Sequence, residues 1–114
     1  MALNDAGLVL AANAVDTAIT HMSIHTTGGV GSSANESTAP RVAVNGTVDG
    51  DGDITWTNVA FTGGAASGPA VRVGYWTAPT GGTYLGGSLL TGDQTFNAAG
   101  EYTVTSVTET GTAS

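Results

Sequence analysis

The chain has no cysteine and no lysine. Without cysteine there are no disulfide staples and no thiolate to act as nucleophile or metal ligand. Without lysine, two arginines face nine acidic side chains, and the formal net charge is −7. Nucleic-acid binding needs a basic patch, so this balance argues against a DNA or RNA partner, and against an anionic membrane surface for the same reason. No run approaches the roughly 20 apolar residues of a membrane span. The first residues lack the basic cluster that opens a secretory signal, so a product made in the cytoplasm is expected. Aromatics are few: two Trp, three Tyr and two Phe.

What is present is Gly, Thr, Ala and Val. At 114 residues the chain is expected to form one domain, residues 1–114. Apolar residues make up 40% of it, enough for a core, but 18 glycines each lose much backbone entropy on folding. The expectation is a monomer of modest stability that gains burial from a partner surface; a lone monomer melting above about 80 °C would contradict it.

The first segment reads as the one helix, about residues 5–19. Asn4 or Asp5 caps it, and Leu8, Ala12, Val15 and Ile19 form a single apolar stripe for packing on a sheet. From Thr20 to Thr26 the pattern changes to alternation. Met22 and Ile24 face one way and His21, Ser23 and His25 the other, which predicts a half-buried strand. Thr27 to Pro40 has no periodicity and reads as a long loop. Arg41 to Val44 reads as a strand entering an Asn45-Gly46 hairpin turn.

Beyond an acidic turn, Ile54 and Trp56 share one phase while Val59 and Phe61 share the other, so a β-bulge near Asn58 is expected. Further strands are expected at Ala70–Trp76, Thr83–Leu90 and Glu101–Val107, with Thr108–Ser114 a polar tail, either frayed or docked on a neighbouring subunit. The β domain thus spans about residues 20–107. The fold class is mainly β (α+β): a small antiparallel β-sandwich or barrel of about six strands with one N-terminal helix.

Candidate chemistry is thin. Asp49-Gly50-Asp51-Gly52-Asp53 alternates carboxylates as a Ca²⁺ loop does, but its sixth position is Ile54 where an EF-hand needs Gly, and its twelfth is Ala60 where it needs Glu. An acidic hairpin tip is the simpler reading. His21 and His25, four apart on a strand, stand about 13 Å from one another and share no metal. No Gly-x-Ser-x-Gly elbow accompanies the serines and histidines, and Glu36, Asp93 and Glu101 lack matched partners. The Gly-Gly pairs have no following helix or basic residue and are turns, not phosphate cradles. No catalytic, cofactor-binding or metal-binding residue is nominated, and no enzymatic activity is expected.

Arg41 and Arg72 are each expected to pair with a carboxylate, within the chain or across a subunit boundary. Trp56, Tyr75, Trp76 and Tyr84 are core positions in the first instance. Alternation, however, sets Val71, Val73 and Tyr75 against Arg72, Gly74 and Trp76, leaving one aromatic free for an interface. Arg41, Arg72, Trp76 and Tyr84 are therefore the candidate interface residues.

A resemblance adds to this. Its early markers are Leu3-Asn4-Asp5-Ala6-Gly7-Leu8, His21-Met22-Ser23-Ile24-His25-Thr26, Ala34-Asn35-Glu36-Ser37-Thr38 and Arg41. The later ones are Gly74-Tyr75-Trp76-Thr77-Ala78, Gly81-Gly82-Thr83-Tyr84-Leu85-Gly86-Gly87 and Ala99-Gly100-Glu101-Tyr102-Thr103-Val104. In this order and spacing, over most of the chain, they resemble a family of small virion proteins from tailed phages of actinobacteria, described as head decoration or minor tail (fibre-like) proteins. The loop Thr27–Pro40 departs from many relatives in lacking an Asp-Pro-Gly turn. The resemblance implies a non-enzymatic virion structural protein without cofactors. As a head decoration protein it would be made in the host cytoplasm, sit on the outer capsid surface, bind the major capsid protein and self-associate, as a homotrimer. As a tail protein it would contact the host surface, with Trp56 or Trp76 stacking on a sugar. A Ca²⁺-binding module outside any virion is the third reading. Small size, acidity and the missing lysine favour decoration.

Overall fold

A computed structural model of the chain describes residues 2–111. The helix α1 runs over Asp5–Ala18, and Asn4 caps it: the Asn4 side-chain oxygen accepts from the Gly7 N–H at 3.0 Å. Ile19 ends it in an extended conformation.

The expected packing stripe is rotated. Ala12 and Ile19 are buried and Leu8 half-buried, but Val15 is 46% exposed and the third place in the row is taken by Asp16. The reason is a specific anchor. The Asp16 carboxylate accepts the Gly46 N–H at 2.9 Å, and a Cβ at Gly46 would come within 3 Å of Asp16, Ile54 and Trp56. Gly52 is equally required, because a Cβ there would meet the backbone of Leu8 at 2.8 Å. Gly52 thus lets its turn approach the helix backbone, and Gly46 leaves room for the Asp16, Ile54 and Trp56 side chains.

Among the described residues, seven strands form two antiparallel sheets. One has the order β2 (Val42–Ala43), β1 (His21–His25), β5 (Arg72–Trp76), β6 (Tyr84–Leu89); the other has β3 (Thr47–Val48), β4 (Ile54–Phe61), β7 (Tyr102–Glu109). They stack as a sandwich, the expected fold class, and do not close into a barrel. Met22, Ile24, Val73 and Tyr75 from one sheet and Ile54, Trp56, Phe61 and Val104 from the other are in the core. Trp56 stacks on Tyr75 with ring centroids 4.9 Å apart, and the Tyr75 hydroxyl donates to Glu109 at 2.8 Å. Burial first, then that contact, pushes the Tyr75 phenol far above its ordinary value.

Three local expectations are corrected. Asn45-Gly46 is not a hairpin turn, because β2 pairs with β1 and β3 with β4, so the dipeptide is the corner where the chain changes sheets. The added strand β3 instead forms a hairpin with β4 across the acidic turn. No one-sided bulge sits at Asn58: pairing runs from Thr57↔Ser106 to Val59↔Val104 without a change of register. Asn58, at φ 53°, and the opposite Thr105 are both skipped, so the two strands reverse their inward faces together. Finally, β7 runs on through Thr108 and Glu109, which pair with Thr55 and Ile54, so those residues are not a tail. The Gly111 N–H donates to Asp53 at 2.9 Å, and the rest of the expected tail, 112–114, lies outside the described residues.

Candidate functional site

Strand β1 was expected to be half-buried, yet Met22 to His25 are buried on both faces, as are all five residues of β5. The second face is covered by the loop Thr27–Pro40, which folds back over the sheet. Antiparallel register sets His25 opposite Arg72, Ser23 opposite Gly74 and His21 opposite Trp76. Gly74 leaves the space the polar side chains occupy, since a Cβ there would fall within 3 Å of His25, Ser23 and Tyr84.

Arg72 is fully buried and pairs with no carboxylate among the described residues, so neither ion pair expected of it forms. Its guanidinium donates to the Thr27 carbonyl (3.0 Å), the Ala34 carbonyl (2.8 Å) and the Tyr84 hydroxyl (3.1 Å). A rigid five-donor fork can do this; an ammonium cannot span the three acceptors. Tyr84 in turn donates to the Val30 carbonyl at 2.6 Å and sets its ring edge-on to Trp76 and His25. Two side chains therefore hold the loop at Thr27, Val30 and Ala34.

His25 adds a third. Its Nδ1 lies 2.8 Å from the Ala34 carbonyl, which can only accept, so Nδ1 carries the proton. Nε2, at 2.7 Å from Ser23 Oγ, then accepts the serine hydroxyl, and that oxygen accepts the Trp76 indole N–H at 2.8 Å. Burial pushes the His25 imidazole below its ordinary value; the Ala34 hydrogen bond opposes this and the Arg72 charge reinforces it. Ser23 and His25 have the spacing of a nucleophile and its base, but both are fully buried and a backbone carbonyl stands where a carboxylate would orient the ring. The arrangement holds a loop.

Arg41 closes the outer side. It makes the internal ion pair, two-pronged to Glu36 at 2.9 and 3.0 Å, donates to the Ala78 and Gly81 carbonyls, and lies 3.5 Å above the Trp76 ring centroid. Trp76, only 8% exposed, is therefore not the free aromatic expected. The four residues nominated from sequence, Arg41, Arg72, Trp76 and Tyr84, are brought into one cluster. Missing from that nomination were Ser23, His25 and Glu36; the Glu36–Arg41 spacing was the one available signal.

The remaining candidates stay apart. His21 faces Thr20, 2.9 Å from its hydroxyl, and shares no site with His25. The carboxylates of Asp49, Asp51 and Asp53 offer oxygens within 4.8 Å of one another at the β3–β4 tip. Asp49 already accepts the Asp51 and Asp53 N–H groups and Asp53 the Gly111 N–H, which are the bonds of a tight turn. Asp93 caps Thr95, and Glu101 accepts from Asn97. The chain matches no protein-family model, no curated protein and no solved structure.

Proposed function

We propose that this chain is a non-enzymatic phage virion protein that decorates the head, binding the outer surface of the major capsid protein shell and stabilising it as a self-associated homotrimer. The observation that carries the reading is how the chain uses its reactive side chains. Arg41, Arg72, Ser23 and His25 are sealed and hydrogen-bonded in holding the protein's own loop. What faces outward is acidic or hydroxylic, with apolar side chains at Leu10 (73% exposed), Leu85 and Leu89 available for contact. Such a surface suits many weak contacts multiplied by symmetry, and its charge suits the outside of a particle filled with DNA. The resemblance of the motif order to that of small actinobacterial phage virion proteins supports the same reading. A tail protein contacting host glycan is less well supported, because Trp56 and Trp76 are 1% and 8% exposed and neither ring is free to stack on a sugar. The test is addition of purified protein to expanded capsids lacking it. Saturable binding with raised capsid melting temperature is expected; no binding, or binding to host cell wall instead, would overturn the reading.

A further inference from the structure

Neither basic side chain reaches the exterior: Arg72 is fully buried and the Arg41 side chain, 8% exposed, is taken by Glu36. Against this acidic outside, β7 is an open edge. Among the described residues it is the last strand of its sheet and pairs with β4 alone, so on either side of the skipped Thr105 alternate residues turn their N–H and C=O groups away from the ladder. No lysine, proline or charged residue protects the edge between Tyr102 and Thr108, and the skipped pair at Thr105 interrupts it once. The edge borders a groove of about 450 Å³. Leu89, 60% exposed, and the buried Leu90 also line it, together with Asp93 and with Glu101 beside the start of β7.

Each feature selects something of an occupant. Unpaired backbone selects an extended segment, Leu89 an apolar side chain, and two carboxylates with no cation near them select a positive charge. A second copy of this chain fits poorly. A second copy would bring only further carboxylates to this groove, since one arginine is fully buried and the other is paired with Glu36. We infer that this groove binds an extended segment of a different protein, which adds as a strand to β7 and places a lysine or arginine against Asp93 and Glu101. The inference is independent of the virion reading.

The test uses the purified protein and three capped peptides: one alternating valine with lysine, one alternating valine with glutamate, and the lysine peptide N-methylated at every second residue. Amide shifts read the site and calorimetry the affinity. The lysine peptide is expected to shift the amides of residues 102–107, to bind more weakly as salt rises, and to lose about threefold in affinity in each of Asp93→Asn and Glu101→Gln, which keep an acceptor oxygen. The glutamate and N-methylated peptides are expected not to bind. The inference is overturned if the lysine peptide fails to bind at millimolar concentration, if either control binds as well, or if the shifts fall elsewhere. A concentration-dependent dimer paired through β7 would also overturn it, by giving the edge to a second copy.

Discussion

Replacing Arg72 with methionine removes the three donors that hold the loop to the sheet while keeping most of the buried volume. Hydrogen bonds from a charged donor contribute about 1.5–3 kcal/mol each, so three of them set a gross loss of about 5–9 kcal/mol. Two effects offset it. Methionine carries no charge to desolvate, and buried guanidinium groups without a carboxylate partner are costly; its apolar burial also contributes about 2 kcal/mol. Of the three acceptors, Ala34 keeps His25 and the Tyr84 hydroxyl keeps its own donation to Val30. The expected net loss is about 2–3 kcal/mol, or roughly a 10 °C fall in Tm for a domain of this size. Thermal and urea unfolding measure the loss, and amide exchange locates it, with protection expected to fall first at Thr26 and Ser37, whose N–H groups bond to Asn35 and Ile24. Arg72→Lys should recover little, because the charge is kept but the fork is not. If methionine leaves Tm and loop exchange unchanged, the three hydrogen bonds do not close the loop and the account of the cluster is wrong.

The pH dependence follows from His25. Its folded-state pKa is lowered, so the unfolded chain binds the proton more readily, and the stability tied to the neutral ring is complete above the unfolded value of about 6.5 and lost as pH falls toward the folded value. Urea midpoints should therefore decline between pH 7 and 5, and His25→Gln should flatten that slope; an equal slope in the variant refutes the assignment. Gly46→Ala puts a methyl group within 3 Å of Asp16, Ile54 and Trp56 and should cost about 2–3 kcal/mol in denaturant unfolding, whereas Gly29→Ala, with nothing near, should cost less than about 0.5. Asp49→Ala removes the acceptor of two turn N–H groups and should cost about 1 kcal/mol without altering the sheets, as far-UV circular dichroism would show.

How far the fold was legible depends on how local its cause is. The Asn4 cap and the alternation of Met22 and Ile24 act between neighbours in sequence, and both are found in the structure. Asn45-Gly46 shows the limit: the dipeptide suits a tight turn, but Gly46 is set by the approach of helix, Ile54 and Trp56 from elsewhere in the chain. Asp16, off the apolar stripe Leu8, Ala12, Val15 and Ile19, turns inward for the same reason, since its partner is an N–H thirty residues away. The phase reversal in Ile54–Phe61 was readable, but that β7 reverses at the same point was not. The cluster was half legible. Rarity of positive charge singled out Arg41 and Arg72, yet Ser23, His25 and Arg72 alternate with apolar residues as a solvated face does. Nothing in a period of two reveals that a loop returns to cover that face.

Where the protein sits tests the functional reading most directly. Particles of a phage whose genome encodes this chain would be imaged with gold-labelled antibody, and their proteins identified by mass spectrometry. Label spread over the head is predicted. Label confined to the tail, or no trace of the chain in purified particles, would contradict the account.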